Sequence, residues 1–195
     1  VLAPNPSYPI HTFGFIIAGA AIRSIPAAPG PDFFTRLEYA MSYTTPKPKV
    51  LVIGYPSNPT AYVADLDFYQ KVVDFAREHK LWVISDLAYA EIYYGDTPTP
   101  SMLQIEGARD RVVEFTSMSK TYSMPGWRMG FAVGNQKLIG ALTRVKSYLD
   151  YGAFTPIQVA ATAALNGPQD IIDQNRDLYR SRRDVMVESF GRAGW

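Results

Sequence analysis

Lys120 lies in the run Ser117-Met118-Ser119-Lys120, eight residues ahead of Arg128 in Pro125-Gly126-Trp127-Arg128-Met129-Gly130. A lysine amine can attack a carbonyl, or it can act as the base for a neighbouring hydroxyl. Serine hydroxyls and a guanidinium close by suit a phosphate or another anion. Upstream stand Asp86 and Tyr89 in Asp86-Leu87-Ala88-Tyr89, Asn58 in Ser57-Asn58-Pro59-Thr60, and Tyr8 in Pro6-Ser7-Tyr8-Pro9. Each has an ordinary role as well. Asp at a strand end caps turns, Asn-Pro is a turn dipeptide, and a tyrosine among 13 is usually packing. Only their order and company make them a candidate site. His11 and His79 read as incidental, and Trp82 and Trp127 as packing.

The elements that must hold these residues are legible from periodicity. Lys49–Gly54 is a continuous apolar run, as expected for a strand buried on both faces. Leu81–Asp86, Arg111–Thr116 and Met129–Gly134 are further strands, Ala21–Ile25 another, and Val1–Pro4 reads as the end of one. Helical spacing marks 10–20, 32–43 and Asp65–Lys80, with Asp65 as N-cap. Beyond the last strand the pattern is helical only, over 135–151, 156–166 and 169–190. Alternation of strand and helix predicts an α/β fold, a mostly parallel sheet with helices on both faces. Ligands of such sheets sit outside the carboxyl ends of the strands. Asn58, Asp86, and Ser117 with Lys120 each follow such an end.

An enzyme using pyridoxal 5'-phosphate (PLP) needs an amine for the cofactor aldehyde and an acid against the pyridine nitrogen. It also needs donors to the ring O3′, a phosphate cup and an aromatic face beneath the ring. The segment Ser117–Gly130 matches S-x-S-K-x-x-x-x-x-G-x-R-x-G, and on that motif the chain resembles the class I/II (fold-type I) PLP-dependent aminotransferases. The resemblance makes Lys120 the Schiff-base lysine, with Ser117, Ser119 and Arg128 on the cofactor phosphate. It places Asp86 against the pyridinium nitrogen, Asn58 and Tyr89 on O3′, and Tyr8 on the ring face. It implies a large-domain, cofactor-binding segment over 1–168, incomplete at its start, and an interdomain helix over 169–195 leading to a small domain. The chain is expected to be a piece of a longer protein that lacks part of the phosphate cup and the substrate-carboxylate arginine. Such a piece is expected to bind PLP weakly and to turn over no substrate. For the intact protein the resemblance implies amino acid and 2-oxo acid substrates of the alanine or diaminopimelate type. It also implies a homodimer, with Thr155 and Pro156 in the region that reaches across.

Bulk properties narrow the alternatives. A net charge of +1 gives no electrostatic case for nucleic acid or an anionic membrane. No apolar run approaches the ~20 residues of a membrane span. The absence of cysteine removes disulfides, thiolate chemistry and Cys-based zinc sites, and two histidines make no metal site unaided. A cytoplasmic protein is the expectation. Ser117-Met118-Ser119-Lys120 also satisfies S-x-x-K, with Ser117 as nucleophile and Lys120 as its base. That chemistry needs S-D-N and K-T-G elements, which the sequence lacks, and its motif opens a helix, whereas Pro125-Gly126 follow closely here. A PLP-binding sensor domain of a transcription regulator is the non-enzymatic alternative, another PLP lyase or decarboxylase chemistry on the same fold is the enzymatic one, and fold alone separates neither from a transaminase.

Overall fold

The computed structural model describes residues 1–195. In chain order it contains β1 (Leu2–Asn5), α1 (Ile10–Ile17), β2 (Arg23–Pro26), α2 (Pro31–Tyr43), β3 (Val50–Gly54), α3 (Leu66–Glu78) and β4 (Trp82–Asp86). These are followed by β5 (Val112–Ser117), α4 (Met118–Thr121), β6 (Gly130–Gly134), α5 (Gln136–Leu149), α6 (Thr155–Asn166) and α7 (Asp170–Arg192). The six strands form one sheet in the order β2-β1-β3-β4-β5-β6. All neighbours are parallel except β5 and β6, which are antiparallel. The architecture is therefore the expected α/β fold.

Local chemistry explains the helix boundaries. Asp65 caps α3, its carboxylate accepting from the Phe68 N–H at 2.8 Å. Asn135 caps α5 by accepting from the Lys137 and Leu138 N–H groups, and Pro31 and Pro156 occupy first-turn positions that need no amide donor. The first helix is shorter than its pattern predicts and stops at Ile17. Gly19 turns left-handed at φ 80°, and the Ala20 N–H folds back to the Phe15 carbonyl, so the apolar run leaves the helix axis. β2 accordingly begins at Arg23 instead of Ala21. One unpredicted helical turn, α4, follows Ser117, whose Oγ accepts from the Ser119 N–H.

The main core lies on one face of the sheet. Leu51, Val83 and Val112 are in register across β3, β4 and β5, and Leu2 faces Leu51 from β1. Against them pack Phe33 and Leu37 of α2 and Phe68, Tyr69, Val72, Val73 and Ala76 of α3. At roughly 1.5–3 kcal/mol for each fully buried large side chain, this layer holds the sheet rigid beneath whatever binds at its edge. The other face carries Val52, Ile84 and Phe115, over which α1 presents Ile10, His11 and Phe15. Helices thus cover both faces near the strand ends. α5 and α7 bury no residue and α6 buries only Ala161. No helix is long and apolar enough to cross a membrane.

Candidate active site

The turns after β1, β3, β4 and β5 all emerge at the carboxyl edge of the parallel strands. They enclose a cavity of about 500 Å³. All eight residues singled out in the sequence line it: Tyr8, Asn58, Asp86, Tyr89, Ser117, Ser119, Lys120 and Arg128. The parallel register explains the convergence. Gly54 pairs with Asp86, so β3 and β4 end at one level; β5, whose Phe115 pairs with Asp86, runs two residues further to Ser117, and the turns that follow face one space.

Asp86 is held from two sides. Its Oδ1 accepts from the Ala88 N–H at 3.1 Å, the turn-capping role that its type favours. Its Oδ2 lies 2.8 Å from His11 Nε2. His11 is therefore not incidental, as its isolation in the sequence suggested. It is buried on the first turn of α1, and its ring meets Tyr8 edge-on with centroids 5.9 Å apart. No local signal marks its role, because its partner Asp86 lies 75 residues away on β4. Gly54 leaves the room this contact needs. A Cβ there would stand 2.9 Å from His11 Cε1 and 3.2 Å from Asp86 Cβ.

Asn58 donates from Nδ2 to the Tyr89 hydroxyl at 3.3 Å, which joins the turn after β3 to the turn after β4. The Lys120 ammonium lies 5.6 Å from the centre of the Tyr89 ring, within range of a cation–π attraction. Between Lys120 and Arg128 the backbone turns left-handed twice at residues other than glycine, Ser123 (φ 55°) and Arg128 itself (φ 56°). Such conformations cost on the order of 1 kcal/mol or more and persist where surrounding structure imposes them. Arg128 donates from Nη1 to the Pro125 carbonyl at 2.9 Å, which fixes the guanidinium beside the cavity. β6 returns close to β5 because residue 130 is glycine; a Cβ there would meet the Thr116 carbonyl oxygen at 2.7 Å.

The donor set fits PLP. The cavity offers an amine for an aldehyde and a histidine-braced carboxylate for a ring nitrogen. A linked amide and phenol suit a ring oxygen, two serines and a guanidinium suit a phosphate, and Tyr8 offers an aromatic wall. Ser117 and Lys120 share the cavity with this whole set, which a serine nucleophile with a lysine base would leave without use.

Comparison with known proteins gives the same direction. The family model "Aminotransferase class I and II" matches residues 1–195. AatC of Rhizobium meliloti (strain 1021) is 65% identical over 195 residues, covering 100% of this chain and 48% of that protein. The glutamate-pyruvate aminotransferase AlaC of Escherichia coli (strain K12) is 53% identical over 195 residues, covering 100% of this chain and 47% of AlaC. An LL-diaminopimelate aminotransferase of Desulforudis audaxviator (strain MP104C) is 45% identical, covering 100% and 50%. Among solved structures, the aromatic aminotransferase of Pyrococcus horikoshii OT3 superposes with a TM-score of 0.88 at 29% identity, covering 99% of this chain and 52% of that one. The chain spans about half the length of the curated relatives it matches.

Proposed function

Because the chain belongs to the class I and II aminotransferases, we propose that it supplies the cofactor-binding part of a transaminase. The reaction moves an amino group between an amino acid and a 2-oxo acid with PLP as cofactor. The observation that carries this reading is the convergence of Lys120, Asp86, Tyr89, Asn58, Ser117, Ser119, Arg128 and Tyr8 around one cavity. The 53% identity to AlaC favours glutamate and pyruvate as the substrate pair.

PLP, when bound, supplies an aldehyde that condenses with amines and a ring that draws electrons from the substrate Cα. The chain's own residues set up that chemistry. Lys120 Nζ would hold the cofactor aldehyde and, as a free amine, would take the proton from the substrate Cα as general base and give it back as general acid. Asp86, held by His11 at 2.8 Å, would keep a proton on the ring nitrogen. Tyr89 and Asn58 would donate toward the ring oxygen, while Ser117, Ser119 and Arg128 would bind the phosphate. Tyr8 orients the ring by stacking. α5 and α6 flank a strongly exposed apolar group, Tyr148, Leu149, Tyr151 and Phe154, each at least 71% exposed. Apolar surface of this size supports the reading of a homodimer.

The test is a visible absorption spectrum of the full-length protein with PLP, wild type against Lys120→Ala, before and after borohydride. The expected result is a pH-sensitive band that reduction fixes to the protein and that the variant lacks. A wild-type protein with no such band would refute the reading.

A further inference from the structure

We propose that Arg176 on α7 is a positioning residue that couples this helix to the turn carrying Tyr89; its catalytic meaning rests on the transaminase reading above. The Arg176 guanidinium donates from Nε to the Glu91 carbonyl at 3.2 Å and from Nη2 to the Glu91 carboxylate at 3.1 Å. A third donation, from Nη1, goes to Asp173 one turn back on the same helix at 2.7 Å. The guanidinium plane also lies 3.9 Å from the centre of the Tyr93 ring. Its side chain is only 12% exposed, on a helix that has no fully buried residue and turns Ile172, Asn175, Arg176, Tyr179 and Arg180 to its covered side. A guanidinium fork that engages one residue by both backbone and side chain fixes orientation as well as distance.

The gripped segment is the site's own. The Ile92 N–H closes a turn on the Tyr89 carbonyl at 3.0 Å, and the Ala90 N–H closes another on the Leu87 carbonyl at 3.2 Å. Glu91 lies inside the first of these turns, so the turn that Arg176 grips is the one closed on the Tyr89 carbonyl. Two helical turns further along α7, Arg183 lies 4.5 Å over the ring of Tyr94. Two arginines at seven-residue spacing thus hold two successive aromatic residues, and the helix follows the loop along its length. Any displacement of α7 is passed to the Tyr89 hydroxyl, which meets Asn58 in the cavity.

The experiment uses the full-length protein with Arg176→Ala, Arg176→Lys and the exposed control Arg182→Ala. Two readouts are taken, amide hydrogen exchange over residues 87–94 and the pH titration of the PLP absorption band. R176A is expected to speed exchange in that segment by roughly tenfold. It is expected to move the titration midpoint upward by roughly 0.5 unit, in the direction of Tyr89→Phe, because a donor to the ring oxygen is loosened. It should lower kcat by roughly tenfold with KM changed less than about twofold. R176K keeps the charge without the fork and restores part of each effect, and R182A matches wild type. In the Tyr89→Phe background R176A should move the midpoint no further. Unchanged exchange at 87–94, or a midpoint shift that adds in full to that of Tyr89→Phe, overturns the coupling. A wild-type protein with no PLP band sinks the transaminase reading instead; the exchange measurement then decides the coupling alone, upheld by faster exchange and overturned by none.

Discussion

His11 Nε2 stands 2.8 Å from Asp86 Oδ2, across 75 residues of sequence and from a helix to a strand end. The contact is part-buried, with the His11 side chain 9% and the Asp86 side chain 28% exposed, so solvent weakens it only in part, and hydrogen bonds to a charged group are worth about 1.5–3 kcal/mol. If Asp86 holds the proton on the ring nitrogen, a histidine that fixes its orientation affects the chemistry without touching substrate. His11→Ala is expected to lower kcat/KM of the full-length enzyme about tenfold or more. His11→Gln, which keeps a donor nitrogen, should lose less. Steady-state kinetics on both variants check this, and equal losses would show that the nitrogen is not what matters.

Gly54→Ala should produce a related defect by crowding alone. The new Cβ would lie 2.9 Å from His11 Cε1 and 3.3 Å from the Asp86 carbonyl oxygen. Overpacking of this kind costs about 1–3 kcal/mol, and the movable partner is the histidine ring. The expected outcome is a roughly tenfold loss in kcat/KM, largely non-additive with His11→Ala because both remove one contact. Full additivity in the double variant would mean that Gly54 acts on Asp86 by another route.

The site's polar residues were legible because each follows a strand whose apolar run is unmistakable, and because Ser117–Gly130 is a long motif with fixed internal spacing. Asp65 and Asn135 were well placed to start helices, and both cap as their side chains allow. The reversed direction of β6 was not legible, since Gly130–Gly134 has the same local pattern in either direction. Neither was the early end of α1, where Gly19 overrides a continuing apolar run. The His11–Asp86 pairing leaves no local pattern, because the partner lies 75 residues away on a distant strand. Arg176 was hidden for the same reason, as one arginine among several on a polar helix.

Glu114 is buried on the core face of β5 and accepts from three donors. These are Ser85 Oγ at 3.0 Å, Met102 N–H at 3.0 Å and Ser101 Oγ. It ties the segment before Val112 to the strand that ends in Asp86. Glu114→Ala leaves those donors without a partner and is expected to cost about 3 kcal/mol. Glu114→Gln retains one acceptor and the shape, and should cost about 1 kcal/mol. Urea unfolding of the two variants gives both figures, and equal, small losses would show that solvent replaces the carboxylate.

Tyr55 and Tyr69 set a ceiling on alkaline stability. Both are buried, and burial pushes each hydroxyl well above its ordinary pKa of 10.0; Glu114 and Tyr55 add to the effect at Tyr69. Tyr55 also donates to the Ala27 carbonyl at 2.8 Å, a bond that requires its proton. The folded pKa lies above the unfolded one, so the folded state retains protons that the unfolded chain has released. Their contribution is therefore fully present below pH 10.0 and is lost as pH rises above it. Each group removes up to about 1.4 kcal/mol of stability per pH unit, about 2.7 kcal/mol for the pair. Thermal melts from pH 8 to 12 should show Tm nearly flat and then falling steeply in the upper part of that range. Tyr55→Phe should start about 1 kcal/mol less stable, having left the Ala27 carbonyl unpaired, yet fall less steeply because one titrating group is gone. If wild type and Tyr55→Phe fall with the same slope, the tyrosine is not the group that limits stability in alkali.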